Sequence, residues 1–514
     1  MRFFTTILLL FFIFENISLN AQQWLGIAGS NYAGTYSVAN NPANVVDSRY
    51  KVFVNLVGND LFVFNNYVSW NAPYSILALS TQTTSAEYRA ANGNTIWKDS
   101  YLNENNNDTP KNAHILGDLK GPSILFNLNS QNSIALSSRV RYGATIDNAS
   151  PILAKLIRNG FEQPDLLNIP VKNENFAFNV NAYLELGVTY GRILINDAEN
   201  FIKVGITAKR LVGMYNAHAL VNQADYQLVK NDPNDLTKRA VSVDNIQTTY
   251  GGTANGALSQ IKLTPAWVFG NTSAGGGWAG DIGIVYEFRP NARKFLYTNK
   301  GVRQFDPAKN KYEWKIGVSL IDVGYLKYDN ASLVTHYTIS RKNETIAASN
   351  YSNVTNTTQA INATNATLQA TDNEKVNNYF VGIPTHFQVN FDYHIQDNFY
   401  ANALWVQGVK SANAIGMTMP SLLSVTPRYE TPWFEAALPV ALLNNYQKLT
   451  MGLSFRVGPL LLGTDHLGSW IGIGHPQGMD VYFGLFVPIM YATPKSANAC
   501  WYEEKPFKRR KGRR

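Results

Sequence analysis

The sequence predicts an all-β protein, a transmembrane antiparallel β-barrel of about 14 strands with an N-terminal hatch segment and long extracellular loops. Three observations predict it: an export-type N-terminus, apolar/polar alternation sustained beyond the needs of soluble strands, and a regular exchange of short and long connections.

The first 21 residues, MRFFTTILLLFFIFENISLNA, read as a signal peptide. Arg2 supplies a basic start, Phe3 to Phe14 an apolar run, and Ala21 a small residue before the expected cleavage. The run falls short of the ~20 apolar residues of a spanning helix. The chain is rich in Tyr (28) and Gly (37) and is 12% aromatic but only 16% charged. A lone cysteine, Cys500, excludes an intramolecular disulfide framework. The net charge of +8 is local. Seven basic residues, Lys505, Lys508, Arg509, Arg510, Lys511, Arg513 and Arg514, crowd the last ten positions and leave +1 for the rest. This is a tail and not a nucleic-acid-binding face. It is either simply solvated or touches anionic lipid headgroups or cell-wall polymer.

Alternation with period two dominates the middle of the chain. In AFNVNAYLELGVTYG (177–191), Phe178, Val180, Ala182, Leu184, Leu186, Val188 and Tyr190 share one face. Asn179, Asn181, Tyr183, Glu185 and Thr189 share the other. THFQVNFDYHI (385–395), SIALSSRVRYG (133–143), GDIGIVYEFR (280–289) and VYFGLFVPI (481–489) behave alike. Soluble strands average ~5–6 residues, whereas a transmembrane strand needs ~9–11, apolar outside and polar inside. Only a closed barrel satisfies every backbone group in lipid. The pattern places strands at 49–71, 120–128, 133–146, 174–190, 199–212, 276–289, 311–328, 380–395, 398–410, 418–430, 432–442, 447–458, 459–467 and 478–490. Connections after even strands are mostly short and several after odd strands are long, which puts both termini in the periplasm of a Gram-negative outer membrane. The chain divides into a signal peptide (1–21), a hatch or plug (22–48), the barrel (49–490) and a basic periplasmic tail (491–514). In the loops, Ser150, Pro151 and Gly160 bracket a helix with Leu153, Leu156 and Ile157 as its apolar stripe, packed on its own loop or folded into the barrel mouth. Residues 343–372, rich in Asn, Thr and Ala, are expected to be mobile.

No catalytic constellation, phosphate loop or metal-ligand spacing stands out, so the expectation is a non-enzyme without cofactor or metal. His386 and His394 share a predicted face but lie ~27 Å apart along a strand. Asp465-His466 reads as a turn hydrogen bond. The informative chemistry is the inner face. Arg139, Arg141, Glu185, Lys203, Asp281, Glu287, Arg289, Asp392 and Arg456 are predicted to point inward, together with Lys209, Glu313 and Lys315. Both signs are mixed, so these groups should pair across a narrow or plugged lumen and not line a general porin. Apolar patches along this face are not evident.

Four stretches carry a family resemblance: NNPANVVDSRYKVFVNLVG (40–58), GDIGIVYEFRP with KIGVSLIDVGYLKY (280–328), IPTHFQVNFDYHIQDNFYANALWVQG (383–408), and RVGPLLLGTDHLGSW with DVYFGLFVPI (456–489). They resemble an uncharacterised family of Bacteroidota outer-membrane β-barrels, a domain of unknown function that sometimes precedes an OmpA-like domain. This chain carries the basic tail where relatives carry that domain. The early Asn41-Pro42-Ala43 is similar, more distantly, to one in FadL-like fatty-acid channels and in PorV-like barrels of type IX secretion. That likeness implies a fourteen-strand barrel with an N-terminal segment folded inside. Pro42 fixes its own φ and biases Asn41 away from helix, and Asn closes turns through its side chain. The three residues therefore set a turn into the first strand, either as part of a gating hatch or as a plain connection.

Three functional classes follow. One is a FadL-like channel or binding protein for hydrophobic or amphipathic small molecules. A second is a PorV-like adaptor for secreted or surface proteins, and a third a structural envelope barrel whose tail meets cell-wall polymer. Outer-membrane lipid is a partner in all three, and nucleic acid in none.

Overall fold

The computed structural model describes residues 24–491, save 198, 233–237, 271, 300–301 and 410–413. The expected signal peptide and the basic tail residues lie outside the described residues.

The alternating segments form one closed antiparallel barrel of 14 strands. In chain order these are β1 (Tyr50–Asn65), β2 (Lys111–Lys120 and Ser123–Asn127), β3 (Asn132–Ala149), β4 (Pro170–Asn196), β5 (Asn200–Lys230), β6 (Gly275–Phe288) and β7 (Trp314–Tyr328). They continue with β8 (Tyr379–Gly382 and His386–Gln396), β9 (Phe399–Gly408), β10 (Leu422–Glu430), β11 (Phe434–Ala437 and Val440–Leu443), β12 (Lys448–Met451 and Leu453–Val457), β13 (Leu460–Thr464) and β14 (Gly478–Met490). Each strand pairs with its chain neighbour, and β1 closes the ring on β14 from Tyr50↔Met490 to Phe64↔Gly478. Closure leaves no edge strand, so the ladder satisfies the backbone all round.

The outward positions are apolar and exposed, as a wall facing lipid requires. Val188, Ile206, Ile282, Val425, Val457 and Leu462 form part of this belt. Aromatic rings edge it at both ends. Tyr286, Phe288, Trp314 and Phe391 cluster at the short-turn end, and Trp278, Tyr325 and Phe380 mark the long-loop end. Among the described residues no helix is long and apolar enough to cross a membrane; the spans are strands.

All fourteen expected strands overlap an observed one, but several limits move. β2 begins at Lys111, inside the expected loop 72–119, and is interrupted at Gly121-Pro122. β5 runs to Lys230 and pairs beyond the barrel with Arg239–Thr253, which pairs in turn with Val334–Ala347. The long-loop end therefore carries an ordered sheet where open loops were expected. Residues 343–372 are likewise structured. A helix, Thr357–Thr367, starts at Asn356, whose side chain accepts from Gln359 N. Its Ile361 packs with Leu368 on Tyr250, Tyr337 and Ile339. The helix Pro151–Asn159 has the expected Ser150 cap and Gly160 stop. It buries Ala154 and Leu156, the latter against Val221, Tyr226 and Val243 of the sheet extension, and does not enter the barrel mouth. At the short-turn end, 290–310 contains a small hairpin, Leu296–Asn299 with Val302–Phe305.

Candidate functional site

The lumen is filled in three layers. Nearest the short turns, residues 24–48 fold inside the wall. Trp24, Ile27, Tyr32, Tyr36, Val45 and Val46 pack on the inward Tyr50, Phe53, Ile193, Phe201, Tyr482 and Phe486. Each such side chain contributes roughly 1.5–3 kcal/mol on burial. Leu25 and Ala28 reach the opposite wall at Leu404, Leu422 and Ala441.

Asn41-Pro42-Ala43 forms the turn foreseen from its chemistry, and its seat is specific. The Asn41 side chain accepts from Ala43 N at 3.0 Å, and its Nδ2 lies 3.3 Å from both Ile284 O and Val318 O of the wall. Pro42 then begins a 3-10 turn through Val45. The wall beneath is notched. Gly191, Gly205 and Gly283 are direct partners across β4, β5 and β6, and Ser319 of β7 continues the row. A Cβ would lie 2.3 Å from Val45 at Gly191, 2.3 Å from the Pro42 backbone at Gly205 and 2.1 Å from Asn41 Oδ1 at Gly283. Ser319 Oγ donates to Asn40 O at 2.8 Å. The missing side chains let one backbone lie directly on another.

Around and above this segment runs an ionic belt. Arg139 grips Glu185 with two bonds, at 2.8 and 3.0 Å. Lys209 lies 2.7 Å from Asp281 and 2.6 Å from Asp322, and Arg141 also pairs with Asp322. Lower down, Lys203 lies 3.8 Å from Glu287 and donates to Val46 O at 3.1 Å. Arg289 bridges Glu287 and Asp47, 2.6 Å from each, and so ties the wall to the inner segment. Asp392 accepts from Arg428 at 2.9 Å, and Arg456 from β12 donates to Glu435 at 3.1 Å. Glu435 accepts from Ser30 Oγ at 2.7 Å, and Glu430 from Asn31 N at 3.0 Å. All nine proposed lumen residues thus face inward and are paired. Lys209 joins them, and Lys315 sits 3.6 Å from Asp392. Glu313 is exposed in the turn before β7, contrary to expectation, because the strand begins one residue later at Trp314. Asp118, Asp322, Arg428, Glu430 and Glu435 belong to the same network and were not foreseen. Extending the alternation of β2, β10 and β11 would have found four of them. Asp322 sits on a bulge at φ +58°, where the alternation breaks.

Outside the strands, electrostatics concentrate where the inner segment leaves the barrel. Burial opposes ionisation of Asp47, but Arg49, Lys311 and Arg289 around it prevail and hold its carboxyl below the ordinary range. Burial pushes the Lys311 ammonium down to about 7, against the pull of Asp47.

The third layer corrects an expectation. Apolar groups were not evident on the inner face, yet Phe62, Leu116, Tyr183, Leu211, Leu326 and Val381 meet there in one cluster. Met417 completes it from the connection after β9, which folds inward. Gly416 N of this connection donates to Asn179 on β4 at 2.8 Å, crossing the lumen. Cavities between the inner segment and the wall measure only about 40–50 Å3, enough for a few water molecules. Asp465 and His466 do more than close a turn. His466 Nδ1 lies 2.8 Å from Asp480, and Asp465 accepts from Leu25 N at 3.3 Å. His386 is buried in the lumen and His394 lies at the strand end, so they stay apart. Among the described residues no group of three His, Cys, Asp or Glu could hold a metal ion.

The chain belongs to a family of unknown function, DUF5723, whose pattern matches residues 42–465. No curated protein matches it. Among solved structures, it is similar to a deltaS2 mutant of the TodX monoaromatic hydrocarbon channel, at 7% identity and a TM-score of 0.39, over 90% of this chain and 95% of that one. It is also similar to the Ralstonia pickettii toluene transporter TbuX, at 10% identity and 0.38, over 93% and 100%. A third is a Pseudomonas aeruginosa FadL homologue, at 10% identity and 0.30, over 92% and 99%.

Proposed function

We propose that this family member is an outer-membrane barrel that binds hydrophobic or amphipathic small molecules in its apolar layer and passes them inward when its N-terminal segment shifts. One observation carries this reading. An apolar cluster around Phe62, Tyr183, Leu211 and Leu326 lies inside the lumen, above a segment that no strand ladder joins to the wall and that is held by side-chain packing, polar contacts and close approach to glycines. A barrel that served only as a support would have no need of an apolar layer inside its lumen, behind the N-terminal segment. In this reading 1–21 is removed on export, 22–48 is the plug, and both termini face the periplasm. No residue is assigned a catalytic role.

Native mass spectrometry on protein extracted gently from outer membranes tests the reading. A co-purifying lipid-like or hydrocarbon mass, reduced when Leu211 is replaced by Asn, is the expected result. Its absence from several gentle extractions would count against a binding barrel. A second reading, a surface adaptor, is favoured by the ordered sheet that β5, Arg239–Thr253 and Val334–Ala347 raise beyond the barrel. It requires a stoichiometric protein in the same spectra. A structural role for the tail requires that removing 505–514 weaken the envelope.

A further inference from the structure

A separate cavity of about 600 Å3 opens at the long-loop rim. This lies within the ~300–1,000 Å3 common for ligand sites. Its floor is Phe64, the top of the apolar layer, and its walls come from the ends of β1 and β3, the connection before β2, the β11–β12 hairpin and Gln477 ahead of β14. The lining is dominated by carboxamides.

Part of that amide set builds the wall. Asn66 Oδ1 accepts from Asn112 N at 2.7 Å, and Asn112 Oδ1 accepts from Asn148 N at 2.8 Å. Asn148 Nδ2 donates to Asn175 O at 2.6 Å. These bonds fix neighbouring strand ends before any ligand arrives. Another part is left over. The side-chain nitrogens of Asn112, Asn445, Gln447 and Gln477 donate to no described residue, only their oxygens being engaged. Beside them Asp147 holds an acceptor ready. Its side chain is 8% exposed, its Oδ1 lies 2.7 Å from His114 Nε2, and its Oδ2 is buried without a partner. A buried carboxylate oxygen without a partner is costly, a cost that a ligand hydroxyl would relieve.

We propose that this cavity binds a neutral saccharide. Vicinal hydroxyls donate and accept together, and the site presents several free N–H donors around one carboxylate acceptor. Its charges do not favour an ion. Asp147 and Lys448 are of opposite sign, and Lys448 is occupied by His475 O at 3.3 Å and Gln477 Oε1 at 3.4 Å. An apolar ligand would leave the amides and Asp147 unpaired. The site shares Phe64 with the apolar layer, but its assignment does not depend on the lumen binding anything.

The test uses the full chain in detergent and saturation-transfer NMR. The probes are neutral di- and trisaccharides and a delipidated lipopolysaccharide core oligosaccharide. We expect at least one to bind. Asp147→Asn and, separately, Gln477→Leu should each weaken it about tenfold, a loss of ~1.4 kcal/mol. Both variants should keep the heat-modifiable gel mobility of the folded barrel, and Asn365→Ala on a distant loop should bind as before. Binding of the core alone would identify a surface glycan as the ligand, and binding of the free sugars a soluble one. Absence of binding by every probe, or equal binding by both folded variants, would overturn the proposal.

Discussion

At the scale of single residues, Asn41 shows how a short motif becomes specific. Its turn follows from Asn and Pro chemistry and was legible. Its seat was not, because Gly191, Gly205 and Gly283 come from three strands far along the chain and look like ordinary strand glycines until paired. Replacing Gly283 with Val should therefore unseat the turn, costing about 1–3 kcal/mol through overpacking. The unfolding midpoint of the barrel in denaturant checks this; Ile282→Val, one residue away on the exposed outer face, serves as control and should change little. Asp322 is the second such residue. It faces Arg139, Arg141 and Lys209 together, as Glu185 does from the other side. Asp322→Ala should cost about 3–5 kcal/mol, because the buried Arg141 loses its nearest carboxylate and keeps only Glu185 at 4.0 Å. Lys311 sets a pH dependence. Its folded pKa of about 7 lies below the ordinary value, so the unfolded chain binds the proton more tightly. Its destabilising effect is full below about pH 7 and fades as pH rises through 7 toward ~10.5. The temperature of gel-mobility conversion should climb across that window, and Lys311→Met should flatten the climb.

At the scale of elements, period-two alternation made the strands legible, because one face meets lipid and the other a polar lumen. Bulges hid the rest. β1 shifts register between Asn55 and Val57, so Phe53 and Phe62 both point inward although their numbers differ in parity. β7 shifts at Asp322, which turns Leu326 and Tyr328 into the lumen. Read without those shifts, the β1 and β7 share of the apolar layer faces lipid, so Tyr183 and Leu211 stood on the inner face without the partners that make them a layer. The loop helix was found from its caps alone. Ser150→Ala removes the bond from Leu153 N at 3.1 Å and one from Ser150 Oγ to Glu174. It should cost about 1 kcal/mol, visible as faster amide exchange in 151–159 with the barrel strands unchanged.

At the scale of the whole molecule, the barrel is filled from end to end. The wall closes through β1 and β14, the inner segment fills the lower lumen, paired charges occupy the middle, and Met417 and its neighbours close the top. The mixed signs on the inner face announced a narrow lumen; what seals it depends on contacts between residues hundreds of positions apart, such as Asn31 with Glu430. The most direct measurement is conductance across a planar bilayer, comparing the purified chain with one lacking residues 24–48. The intact barrel should be silent, and discrete current steps should appear after removal of the segment. Large, stable steps from the intact chain, or silence from a folded barrel without the segment, would contradict this expectation.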